Sequence, residues 1–103
     1  MKVRYIMTVS DISRKLPITT TLTTLGGDSY FTVVNQGNKL VIINSGGSVL
    51  ALDDAHVLAV FNRYKALPAK RRLMAGDYVD PLWPQRPNRI FSPYVARLID
   101  HLQ

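Results

Sequence analysis

The fold of this chain is decided by residues 18–52, which read ITTTLTTLGGDSYFTVVNQGNKLVIINSGGSVLAL. The runs 18–25, 30–35, 39–44 and 48–52 are rich in β-branched and apolar residues, and such runs favour pleated strands. Short glycine-containing segments separate the runs. Parallel neighbours need a long crossover, so strands joined by connections this short are antiparallel neighbours. The stretch therefore predicts an antiparallel β-meander.

Both faces of that predicted sheet are apolar near its centre. In 30–35 and 40–43 the two alternating sets of side chains each contain Val, Ile, Leu or aromatic residues. A sheet with one wet face normally alternates apolar and polar residues. Either helices wrap both sides, or one face is covered by another copy of the chain. The second alternative predicts a homodimer.

An amphipathic helix follows the meander directly. Asp53 or Asp54 is the expected N-cap, and Ala55–Leu67 is the expected body. Its apolar positions recur at helical spacing, which predicts one stripe lying across the sheet. The stripe consists of Val57, Val60, Phe61, Tyr64 and Leu67.

The flanking segments complete the predicted architecture. Residues 2–9 alternate weakly, as a first strand would, and Ser10 is the expected cap of a short helix that Pro17 closes. Residues 69–75 are expected to form a short turn, and the proline-rich segment 80–87 an extended connection. Ser92 followed by Pro93 predicts the start of a short terminal helix, with Asp100 facing away from its apolar side.

The fold class is therefore α+β. We expect an antiparallel meander of three to five strands packed against an amphipathic helix, with a proline-rich C-terminal segment and a short terminal helix. At 103 residues, the chain 1–103 suits a single domain.

Composition narrows the function classes. The chain has no cysteine, which excludes disulfides, thiolate nucleophiles and cysteine zinc sites. No apolar run approaches the roughly 20 residues of a membrane span, and residues 1–9 fit a signal peptide poorly. We therefore expect a soluble cytoplasmic protein that has no membrane partner.

Catalytic signatures are absent from the sequence. His56 and His101 are distant in the chain, and no nucleophile elbow, zinc-protease pair or Walker loop is present. The pair Asp53-Asp54 directly precedes a helix and is interpreted as a cap. We predict no catalytic residue, no metal site and no cofactor. An enzyme would need His56 to converge with an aspartate in a pocket.

Positive charge is the remaining signal. The chain has 13 Lys and Arg against seven acids, giving a net charge of +6. Residues 63–72 contain no acid, and Trp83 lies in the proline-rich segment with further cations around it. Cations and an exposed aromatic suit polyanion or single-strand binding. The predicted binding residues are Arg63, Lys65, Lys70, Arg71, Arg72, Trp83, Arg86 and Arg89.

Plainer interpretations of the same residues stay open. The cations of 63–72 equally suit a solvated surface, and Trp83 equally suits a buried anchor for its loop. The function predicted first is a small non-enzymatic binding module, homo-oligomeric, whose basic surface engages an acidic protein partner or a polyanion. The alternatives are a nucleic-acid-binding accessory protein, of the kind carried by mobile elements or defence loci, and a small enzyme of unknown reaction.

Overall fold

The computed structural model of the protein describes residues 8–72, residue 78 and residues 88–103. Its centre is a four-stranded antiparallel sheet in the order β1-β2-β3-β4, which confirms the predicted meander. Gly37, in the loop between the second and third strands, has a φ of 87°, a conformation that side-chain-bearing residues rarely adopt. The strands are β1 (Thr19–Thr23), β2 (Tyr30–Asn35), β3 (Leu40–Asn44) and β4 (Val49–Ala51).

The helices pack against one face of this sheet. They are α1 (Val9–Ser13), α2 (Asp54–Ala66), a 3-10 helix (Ala69–Arg71) and α3 (Asn88–His101). The α+β fold class is thus confirmed. The predicted strand at residues 2–9 lies mostly outside the described residues, and the proline-rich segment 80–87 lies entirely outside them.

Three helix starts were predicted, and the structure confirms the one at Asp53 and corrects the other two. Asp53 caps α2 by accepting the backbone N–H of His56 at 2.7 Å, as expected. The cap of α1 is Thr8 and not Ser10, because Thr8 and Asp11 form a reciprocal capping box. The box satisfies two backbone donors where Ser10 would satisfy one.

The prediction for the last helix was also wrong at its start and in its length. Helix α3 begins at Asn88, so Pro93 lies inside the helix and Ser92 is a buried helical residue. A proline inside a helix removes one backbone hydrogen bond, at roughly 3 kcal/mol. Burial of Phe91 and the tertiary contact of Ser92 described below offset that loss, and the sequence pattern alone contains neither.

The core lies between the helices and one face of the sheet. This inner face consists of Leu22, Phe31, Val33, Leu40 and Ile42, all buried, with Leu50 packed against them. The predicted stripe of α2 is buried in the same cluster, and so are Ile12 of α1 and Leu98 of α3. The ring centroids of Tyr94 on α3 and Phe31 on β2 lie 4.9 Å apart, so α3 packs against β2.

Polar contacts attach α1 to the rest of the chain. The Val9 N–H donates to the Asp54 carboxylate at 2.7 Å, so the first turns of α1 and α2 are joined. The side-chain amide of Asn35 donates to the carbonyls of Ser13 and Leu16, which fixes the other end of α1 to β2. Asp53 therefore caps its own helix, α2, whereas Asp54 binds the first turn of α1.

Candidate functional site

The outer face of the sheet is built from alternate residues of all four strands. Register places them in cross-strand rows, since Thr21 pairs with Thr32, Thr32 with Ile43, and Ile43 with Val49. No position of this face carries a charge. The outer face consists of Thr19, Thr21, Thr23, Tyr30, Thr32, Val34, Val41, Ile43, Val49 and Ala51.

The outer face carries exposed side chains on β1, β4 and the start of β2. Tyr30 is 56% exposed and Val49 is 58% exposed, which is unusual for large apolar side chains. Thr32, Val34, Val41 and Ile43 are half-buried. Among the described residues, the buried side chains of α1, α2 and α3 all belong to the core on the opposite side. Val34, Val41 and Ile43 lie at the centre of this face, as the prediction of two faces apolar near the centre requires, and the described helices pack against the other face.

Arg72, one of the predicted binding residues, is engaged in holding α2. Its Nε donates to the carbonyls of Tyr64 and Leu67 at 2.9 and 3.1 Å, where the helix leaves carbonyls without partners. Its guanidinium lies 5.1 Å from the centroid of the Tyr64 ring, within cation–π range. Arg72 therefore stabilises the C-terminal end of α2 and contributes little free charge to a ligand.

The other cations of 63–72 group around that same helix end. Lys65, Lys70 and Arg71 are exposed, whereas Arg63 is half-buried. The Lys65 ammonium lies 5.4 Å from the centroid of the Phe61 ring. Cations at a helix C terminus interact favourably with the partial negative charge there, so part of this charge is explained by the helix itself.

The second half of the predicted binding set is not brought to this cluster by any described contact. Trp83 and Arg86 lie outside the described residues. Arg89 lies in the first turn of α3, and Arg97 lies two turns further along that helix. The single surface predicted from Arg63 to Arg89 therefore stays a prediction.

His56 and Ser92 form the most distinctive polar contact of the core. The Nε2 of His56 lies 3.1 Å from the Ser92 hydroxyl, and the two side chains are 1% and 0% exposed. Burial lowers the pKa of His56 to about 4, although the nearby Asp53 carboxylate acts in the opposite direction. A histidine that is neutral at pH 7 and sealed from solvent links α2 to α3, and no substrate reaches it in this arrangement.

A second polar pair also joins α2 to α3. The Tyr64 hydroxyl donates to Asp100 at 2.7 Å. Burial, followed by this hydrogen bond and the carboxylate charge, raises the pKa of Tyr64 well above its usual value. Asp100, expected to face away from the apolar side of α3, is half-buried where it accepts this hydrogen bond, and the apolar period of α3 did not indicate that Tyr64 would be its partner.

Two shallow depressions lie where the turn between β1 and β2 meets α3. One, of about 390 Å³, is lined by residues 24–26, 28 and 29 together with Pro93 and Tyr94. The other, of about 280 Å³, is lined by Thr23, Thr24, Leu25, Gly27, Arg97 and Asp100. Because Arg97 and Asp100 share the second depression, their opposite charges partly cancel. Neither depression contains His56.

The described residues contain neither a candidate metal site nor a membrane-spanning helix. Among them, no three His, Cys, Asp or Glu side chains come together as a metal site would require. Over the same residues, no helix has the length and apolar character to cross a bilayer.

Comparison of the chain with protein-family models, with curated proteins and with solved structures finds no match. The interpretation as an accessory protein of mobile elements or defence loci gains no support from these comparisons. The functional argument therefore rests on the geometry of the chain itself.

The sequence analysis predicted that this face of the sheet is apolar near its centre, but it did not name any residue of the face as a binding residue. The signal was available, since period-two alternation in 19–23 places Thr19, Thr21 and Thr23 on one side once the strand is assumed. Ser92 as the partner of His56 had no comparable signal. The two residues are 36 positions apart, and only the packing of α2 on α3 brings them together.

Proposed function

We propose that this protein is a small non-enzymatic interaction module whose working surface is the outer face of its sheet. The observation that carries the proposal is the combination of exposure and composition in one place. A chain with a net charge of +6 leaves a whole sheet face without a charge, and large side chains such as Tyr30 and Val49 stand on it in solvent. The apolar part of this face lies mainly on β3 and β4, in Val41, Ile43 and Val49, and exposed apolar surface next to uncharged polar side chains is typical of protein–protein contact.

A protein fits this surface better than a polyanion does. Binding to phosphates requires cations, and none of the ten residues of the outer face is a cation. Lys39, directly before β3, is the cation nearest to them in the sequence. The β-branched side chains of the face suit close packing against another apolar surface. The cytoplasmic location expected from the cysteine-free composition is part of this proposal.

Photo-crosslinking tests the proposal in the producing cell. A photo-reactive amino acid replaces Thr32 on the outer face or, as the matched control, Asn62, which is exposed on α2 away from the sheet. We expect the Thr32 position to form a covalent adduct with one protein, identified by mass spectrometry, and the Asn62 position to form none. The absence of a protein adduct at Thr32, or equal yields at both positions, would overturn the proposal.

A second candidate function is binding of an acidic protein or a nucleic acid by the basic end of α2. Exposed Lys65, Lys70 and Arg71 favour it, since they lie close together in the chain at one helix end. If these three cations contact phosphates of a single strand, the slope of log K against log salt should be about −2. Fluorescence anisotropy with a labelled oligonucleotide measures this slope. Binding that is independent of salt, or unchanged in Lys70→Glu, would contradict this candidate.

A further inference from the structure

We infer that the partner of the outer face is a second copy of this chain, packed face to face across a two-fold axis. This inference rests on the proposed function, because it names the occupant of the same surface. Ile43 lies in the middle row of the face, where it neighbours Thr32 on one side and Val49 on the other. In the proposed dimer, these rows pack against their own copies.

Charge is the first argument for a second copy. Two chains of net charge +6 repel one another, and contact through the basic end of α2 would add cations to cations. A two-fold interface brings the same patch of each copy together, so it must be compatible with itself. The outer face satisfies this condition because it has no charged position to oppose its own copy. An acidic partner would instead be drawn to the cations elsewhere.

Shape is the second argument. Antiparallel sheets pack face to face at about 10 Å with their strands inclined by about 30°, and inward side chains of Val, Ile and Thr fill the space between them. The outer face offers these residue types on all four strands, with Tyr30 at one end. A second copy therefore turns a two-layer arrangement of helices on a sheet into a four-layer one with a sheet sandwich at its centre.

The size of the face sets the expected strength. Four strands about 4.8 Å apart and five residues of about 3.4 Å each cover roughly 300 Å² in projection. Specific interfaces of ordinary size bury about 800 Å² of accessible surface per partner. Side chains give the face more accessible surface than its projected area, but the contact still belongs to the small, weak class. We therefore expect a reversible dimer with a micromolar dissociation constant.

Sedimentation velocity on the purified full chain tests the inference directly. Over a range from about 1 to about 500 µM, which brackets micromolar dissociation constants, the average mass should rise from 11.6 kDa toward twice that value. Salt supplies a second readout. Added salt screens the repulsion between two basic chains, so association should strengthen as salt rises, which is opposite to phosphate binding.

Matched variants locate the interface. Ile43→Lys places a charge in the middle row and should weaken association at least about tenfold, because each dimer would bury two such charges. Asn62→Lys adds the same charge on α2 and should leave association unchanged. Mixing Ile43→Lys with Ile43→Glu should restore association, since opposite charges then meet across the axis. Circular dichroism of each variant shows that the fold is retained.

Two outcomes would overturn the inference. They are a wild-type chain that stays monomeric at the highest concentration, and a dimer that Ile43→Lys does not weaken. The second outcome would assign assembly to another surface, such as the sheet edges. If the purified chain is monomeric while Thr32 crosslinks to a different protein, the proposed function stands and only the identity of the partner is wrong.

Discussion

On the inner face of the sheet, Phe31, Val33, Leu40 and Ile42 are fully buried beneath three helices. On the outer face, the residues between them on the same two strands are Thr32, Val34, Val41 and Ile43, which are only half-buried. The two sets alternate along one backbone and have similar apolar character. The difference between them is thus one of covering rather than of chemistry. Burial within one chain is therefore complete for only one of the two faces.

Removing a side chain from the inner face should have the largest effect. Phe31→Ala leaves a cavity beneath the Tyr94 ring and should lower the free energy of unfolding by about 3–5 kcal/mol. Thr32→Ala, one residue away on the outer face, loses strand propensity and its contact with the Thr21 hydroxyl, and should lower it by about 1 kcal/mol at low protein concentration. Urea titration followed by circular dichroism measures both. Similar losses for the two variants would mean that the faces do not differ in the monomer.

The buried His56 should make the free energy of unfolding decrease at acidic pH. Its pKa is about 4 in the folded chain against 6.5 when unfolded, so between these values the unfolded chain binds the extra proton. The contribution of His56 to stability is therefore complete above pH 6.5 and falls as the pH drops toward 4, by up to about 3 kcal/mol.

Urea midpoints measured between pH 7 and pH 4 report this change. His56→Gln should flatten the profile, whereas His101→Gln should leave it as it is, because His101 is exposed. An unchanged slope in His56→Gln would assign the acid sensitivity to other groups.

The smallest expected effect concerns a buried polar atom on the inner face of the sheet. The Thr20 hydroxyl oxygen is buried and has no hydrogen-bond partner among the described residues, and Thr20 lies on the same side of β1 as Leu22. Thr20→Val replaces that hydroxyl with a methyl group of similar size and should stabilise the chain by about 1 kcal/mol.

Thr21→Val is the matched control for this change. Its hydroxyl lies on the outer face, 3.2 Å from that of Thr32, so its removal sacrifices a contact and should give no gain. Equal stabilisation by both variants would show that general β-strand propensity, and not the orphaned hydroxyl, is responsible.

The sheet could be predicted from the sequence because its information is local. Strand composition, short connections and the glycine at position 37 all lie within a few residues of the hydrogen bonds they produce. The cap at Asp53 and the apolar stripe of α2 were predictable for the same reason. Each depends on spacing within one element.

What the sequence could not supply depends on contacts between distant elements. The Ser92-Pro93 pair has the signature of a helix start, yet α3 continues through it because Ser92 meets His56 and Phe91 enters the core. Arg72 resembles a free surface cation until its guanidinium is placed on the carbonyls that end α2. In both cases tertiary contact overrides the local pattern.

The hydrogen bond from Val9 to Asp54 has a consequence for the order of folding. Each hairpin of the sheet closes over a few residues, whereas this bond joins positions 45 residues apart. Contacts that close short loops form early, and contacts over long separations follow once the intervening chain is ordered. We therefore expect the sheet and α2 to form before α1 docks. In native-state hydrogen exchange, α1 should be the first unit to open, reported by faster exchange of the Val9 amide.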